Sequence, residues 1–380
     1  MKKRISILAI ALAAGCAVGL AGCSKGGVNV ANLNSNWFTD TKFKPVQPTF
    51  LEEENREEIT YDVTYTPAQH NLGYTLSYDN GTYTTLFKAV KIAGDVLRDI
   101  TDAEYNREGF TEAVENAGGD GITAYYYETN YAISGKFTYS GKDDAFNDST
   151  VTKCYFLSVG ESLRPLYSSQ VIKSTSPSNG GVYKKLDLEY ECFYKFNGSA
   201  VKTYITDNSK AENKTTSKTA SLGGAANTLF DETYFNIAVR ATRLSAGSSL
   251  SQTVSLYSPA DGIGNFTLKG SDSKLTLAKD ADANAQAITA LTDKLTAAGL
   301  FKPQTPAEGE TAKGLSTVAV NVTYNGELSG VSQTYWFAAV ENTSNNTGRA
   351  TMLKVSSPLP FGLGTLDFTL SEITSTFWNN

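Results

Sequence analysis

The chain has 380 residues, with 33 Lys and Arg against 39 Asp and Glu, a single His and a formal charge of −6. An acidic chain without a basic block is a poor ligand for nucleic acid, whose affinity rests on Lys and Arg neutralising phosphates. One His removes most metal-cluster, His-dyad and haem chemistry, and 32 Gly, 21 Tyr and 18 Phe with only 19% charged residues describe a β-rich extracellular protein.

The N-terminus carries the most specific signal. Met1-Lys2-Lys3-Arg4 is basic, residues 5–20 are almost uniformly apolar, and Leu20-Ala21-Gly22-Cys23 follows. The apolar run is shorter than the ~20 residues a helix needs to cross a bilayer. Small residues before a Cys suit a signal-peptidase pocket, and the segment resembles the lipobox of bacterial lipoproteins. The resemblance implies a signal peptide over residues 1–22 and lipidation of Cys23 as the first mature residue. The protein is then expected on the extracytoplasmic face of a bacterial membrane, held by acyl chains alone.

Residues 23–58 are polar and short of core formers, and read as a flexible tether. Their acidic end, Glu52-Glu53-Glu54-Asn55-Arg56-Glu57-Glu58, lacks the interleaved Asp/Asn/Gly pattern of a calcium loop and reads as a solvated charge run. No metal or other cofactor is expected.

From residue 59 to 380 the pattern is that of one antiparallel β-rich domain. Ile59, Tyr61, Val63 and Tyr65 alternate with polar residues, as do Leu186, Leu188, Tyr190, Cys192 and Tyr194, then Val318, Val320 and Val322, then Leu366, Phe368 and Leu370. A period of two with one apolar face marks half-buried strands. Asp79-Asn80-Gly81 and Asn197-Gly198 supply turn chemistry for tight hairpins. Two stretches switch to helical spacing, residues 229–244 and 282–298, the second with Gly299 as its stop. A short helix is expected near 104–115. Residues 154–177 echo residues 335–358 without gaps, through Phe156/Phe337, Val159/Val340, Lys173/Lys354, Ser176/Ser357 and Pro177/Pro358.

The run Phe235-Asn236-Ile237-Ala238-Val239-Arg240-Ala241-Thr242-Arg243-Leu244, with the later Tyr335-Trp336-Phe337 and Gly364-Thr365-Leu366-Asp367-Phe368, resembles uncharacterised bacterial exported domains similar to the lipoprotein-carrier (LolA-like) half-barrels. That resemblance implies a fold of mainly β (α+β) class: a large curved antiparallel sheet, or half-barrel, with one or two helices packed on or inserted into it. It implies binding of an apolar or lipid-like ligand, not catalysis, with the helix as lid or plug and Arg240 pinning it to the sheet. The helix residues Tyr234, Ile237 and Ala241 and the facing aromatics Tyr155 and Trp336 are the expected apolar contacts.

Other chemistry is weakly marked. His70 sits in a Pro/Gly/Asn turn without a Gly-x-Ser-x-Gly elbow to serve. Asp187, Glu189 and Glu191 share the outward face of a strand, unlike a facing carboxylate pair. In a simple meander, Cys154 and Cys192 flank a third strand, about twice the ~4.8 Å spacing apart, which favours buried free thiols over a bridge. The aromatic surplus around Tyr125, Tyr126, Tyr127, Tyr155 and Trp336 leaves a competing function open: a cell-surface interaction or glycan-binding protein with a filled core and no ligand cavity.

Overall fold

The computed structural model describes residues 56–69, 73–159, 162–176, 185–210, 214–222, 229–240, 251–260, 262–301, 314–324, 332–339, 350–359 and 362–376. The lipobox, His70 and Ala241 lie outside them. The amino-terminal half forms β1 (Arg56–Pro67), β2 (Tyr74–Tyr78), β3 (Gly81–Ile92), β4 (Ile122–Tyr139), β5 (Lys142–Val159), β6 (Ser162–Ser174), β7 (Leu186–Tyr194), β8 (Ala200–Asp207) and β9 (Lys214–Ser221). The rest forms β10 (Leu229–Asp231), β11 (Ser251–Ser258), β12 (Gly262–Ser271), β13 (Thr317–Tyr324), β14 (Ser332–Ala338), β15 (Met352–Pro358) and β16 (Gly364–Ser375).

All sixteen strands belong to one open sheet, in the order β10-β11-β12-β13-β14-β15-β16-β1-β3-β4-β5-β6-β7-β8-β9 with β2 beside β4. Pairing is antiparallel except between β10 and β11. The described strands therefore start in the middle of the sheet, meander outward to β9, cross over, and meander back until β16 lies against β1.

The crossing segment fixes the curvature. Asp231 of β10 leads into a 3-10 turn (Glu232–Tyr234) and then α3 (Phe235–Arg240). Within ten residues this segment touches β6 (Ser168 Oγ donates to Asp231, 2.7 Å), β5 (Tyr234 stacks on Phe156, 4.6 Å), β3 (Asn236 Nδ2 donates to Tyr83 Oη, 2.8 Å), β12 (Phe235 on Phe266, 5.2 Å) and β1 (Arg240 pairs with Glu57). In a flat sheet β12 and β6 would stand nine spacings apart, about 43 Å. A six-residue helix is only about 9 Å long. The sheet must wrap around it. Where the wings approach, side chains link them: Tyr257 of β11 packs edge-on against Tyr194 of β7 (6.1 Å) and hydrogen-bonds Thr203 of β8 (2.6 Å).

Among the described residues three further helices accompany the sheet. α1 (Gly94–Asp99) and α2 (Arg107–Asn116) cover an outer cluster of Ile100, Phe110, Tyr126 and Leu166. α4 (Ala281–Ala297) buries Leu291 and Leu295, starts on the Asp280 side chain and stops at Gly299, φ +69°.

The fold class matches the sequence expectation, as do the four alternating strands and α4. Several details differ. The stretch 229–244 is helical only over 232–240 among its described residues, because Leu229–Asp231 pair with β11 and Asp231 then caps the turn by accepting from the Thr233 N–H and hydroxyl. Asp79-Asn80-Gly81 is not a hairpin. β2 and β3 both pair with β4, end to end, because β4 spans eighteen residues and β3 covers only part of it. Gly81 is needed for close approach instead, since a Cβ there would lie 2.8 Å from the Ala132 carbonyl oxygen. The acidic run is not wholly solvated: residues 56–58 already belong to β1, and Glu57 is 2% exposed. The echoed segments share a register shift after Tyr155 and after Trp336, yet Phe156 pairs with Pro165 and Phe337 with Met352, so the strands that follow do not superimpose in sequence.

Candidate functional site

The inner face is organised in cross-strand rows. One row runs Glu57, Phe87, Tyr127, Cys154, Ser168, Cys192 and Thr203 from β1 to β8. Against it lie α3 and the turn before it, with every residue from 230 to 240 buried.

Two polar centres anchor this plug. Arg240 donates from both guanidinium ends to the two oxygens of Glu57, with Nη2–Oε2 at 3.0 Å and side chains 4% and 2% exposed. Burial works against the guanidinium's charge, but the Glu57 carboxylate and its hydrogen bonds outweigh that and raise its pKa. Asp231 accepts from Ser168, Tyr194 and twice from Thr233. Its burial nevertheless raises the carboxyl above the usual range, against the lowering effect of those donors. Beside it, Cys154 and Cys192 are free, buried thiols on either side of Ser168, and desolvation pushes both up. They are inert packing groups in that state.

The expected contact residues divide between the two faces. Tyr234 and Ile237 lie in the plug, packed into the interior. Tyr155 points to the outer face, where its ring meets Tyr126 at 5.0 Å and Tyr167 at 6.4 Å. Trp336 also turns away from the inward Tyr335; its Nε1 donates to the Ser273 carbonyl, and Lys354 lies over its ring. A strand residue beside an inward neighbour faces outward, so the structure does not bring Tyr155 or Trp336 to the helix.

Beyond the plug the inner face turns polar. The next row holds Thr85, Thr129, Thr152, Gln170 and Tyr190, and the one after it Tyr83, Tyr131, Thr150 and Ile172. Thr129 and Thr152 hydrogen-bond each other at 2.7 Å. The Tyr131 hydroxyl, the Thr150 hydroxyl and both amide atoms of Gln170 are buried without a hydrogen-bond partner. Sequence reasoning missed these residues, although a Gln and several Thr at inward positions of alternating strands were the available signal. Farther along, Asp148 accepts from Ser174 Oγ and from the Thr175 and Ser176 amides. Among the described residues, no group of three His, Cys, Asp or Glu side chains is arranged to hold a metal ion.

On the outer face, Tyr126, Tyr155, Tyr167 and Phe193 stand in direct register across β4 to β7. Adjacent rings are inclined by 57–60°.

No protein-family model matches the sequence, and no curated protein does. Among solved structures, the chain is similar to a β-barrel-like protein of a domain of unknown function, DUF1849, from Brucella abortus. The likeness covers 86% of this chain and 99% of that one, at 9% identity and a TM-score of 0.41.

Proposed function

We propose that the protein is an acyl-anchored extracytoplasmic binding protein, lipidated at Cys23, whose barrel-like sheet takes up an apolar or lipid-like molecule in its interior. The observation that carries this reading is the way both wings of one sheet wrap a single short helix. α3 occupies an interior lined by Phe87, Phe156, Phe266 and Leu268. Displacing so short a helix opens apolar surface of the kind that binds acyl chains. Tyr234 and Ile237 would line the opened space, while Ala241 follows on the same segment.

The test is mass spectrometry of the full chain recovered from cells without added lipid. The N-terminal peptide is expected to carry diacylglyceryl mass on Cys23, and an apolar species is expected to leave the folded protein on solvent extraction at fixed stoichiometry. An unmodified Cys23 overturns the anchor, and a protein free of any extractable species overturns the interior ligand.

The outer aromatic row favours a second reading, a surface that meets a glycan. Its inclined rings present edges more than one flat stacking plane, so it ranks below the first. Glycan-array binding abolished by Tyr155→Ala would reverse that order.

A further inference from the structure

We propose that Tyr131, Thr150 and Gln170 seat the uncharged, hydroxyl-bearing head of an amphiphile, a monoacylglycerol-like lipid, whose chain runs along the apolar interior toward α3. This inference rests on the interior-ligand reading above and adds to it the class of ligand and its direction.

The three residues are contiguous. Tyr131 and Thr150 are direct partners between β4 and β5, and Gln170 of β6 is the partner of Thr152, two residues from Thr150. Each is 3% exposed or less. Between them they present two hydroxyls, each able to donate and accept, and an amide with two donors and one acceptor. Native interiors rarely leave such atoms unpaired, and all four here are without a partner while the neighbouring Thr129 and Thr152 satisfy each other.

The chemistry selects the head. Tyr131, Thr150 and Gln170 carry no charge, so nothing among them neutralises a carboxylate or phosphate, whose burial would then be costly. Asp148, one row beyond on β5, faces the same interior and supplies no cation either. A diol or polyol offers both donors and acceptors and suits all four atoms. The position selects the direction: the patch lies one to two rows from the row under α3, with Phe87 and Phe156 between it and the plug's far side.

The test is calorimetric titration of the full chain with monohexanoylglycerol, hexanoate and glycerol as probes. Monohexanoylglycerol is expected to bind at least tenfold more tightly than hexanoate or glycerol. Gln170→Leu and Thr150→Val are expected to weaken it at least fivefold each and to leave hexanoate unchanged. Tyr131→Phe, which removes one oxygen, provides a milder variant should either of the others fold poorly. Unchanged monohexanoylglycerol affinity in folded variants overturns the proposal and leaves the patch to ordered water, even if their melting temperatures shift. Glycerol binding as tightly as the amphiphile overturns the lipid part. Equal binding of both amphiphiles, indifferent to the variants, refutes the head site while keeping the interior ligand; binding of neither refutes the interior-ligand reading itself.

Discussion

Arg240, the last residue of α3, forms a two-point ion pair with Glu57, the second residue of β1, 183 positions earlier in the chain. Both side chains are almost wholly buried, so the pair ties the crossing segment to the central strand of the sheet. Removing one partner leaves an uncompensated charge in the interior, which costs about 3–5 kcal/mol. Arg240→Met is therefore expected to lower the urea midpoint sharply, and Glu57→Gln combined with Arg240→Met to recover most of the loss. Additive losses in the double variant would show that the pair does not act as a unit.

Asp231 gives stability a distinctive pH dependence. Its carboxyl is raised by burial, so the folded chain holds that proton more firmly than the unfolded one, whose Asp titrates near about 3.9. Stability from this group is gained as pH falls through the raised folded value and lost as pH rises through it. Melting temperatures from about pH 4 to 7 should therefore show a smaller acid-side gain in Asp231→Asn than in the parent. Parallel curves would place the titration elsewhere.

Glycine substitutions report how β2 and β3 share β4. A Cβ at Gly81 meets the Ala132 carbonyl oxygen at 2.8 Å, and one at Gly135 meets that of Ser77 at 2.3 Å. Gly81→Ala is expected to cost about 1–3 kcal/mol through forced backbone shifts, and Gly135→Ala at least as much. Gly109→Ala, inside α2 with only Phe196 Cβ at 3.9 Å, should stabilise by about 0.4–1 kcal/mol. Chemical denaturation of the three variants checks both the order and the sign.

Cys154 and Cys192 should be silent toward a thiol reagent while the protein is folded, because burial keeps both protonated. Both should react on unfolding without reductant. A chain that releases neither thiol under denaturant would contain a bridge between them.

Much of the sheet was legible because alternation is a local property. Tyr61 and Val63, or Val320 and Val322, announce their shared face without reference to any partner. α4 was legible for the same reason, since its apolar stripe and Gly299 lie within one short window. Glu57 was not: its charge reads as solvated until Arg240 arrives from across the chain. Nor was the pairing of β2, because Asp79-Asn80-Gly81 suits a hairpin equally well until the length of β4 decides. Tyr155 and Trp336 lie on strands, but alternation does not say which face meets the helix. The candidate site was least legible, since Gln170 and Thr150 draw their meaning from neighbours on other strands.

The adjacency of β1 and β16 sets the order in which the molecule can be completed. Among the described strands β1 comes first and waits for β16, and until some three hundred residues have followed, one backbone edge of β1 has no neighbour. Such a closure is slow, because it spans nearly the whole chain, and an unpaired edge invites pairing with other chains. The sheet is thus complete only once β16 has reached β1. Loss of as little as β16 would leave the centre of the sheet, and not its rim, open to a stranger.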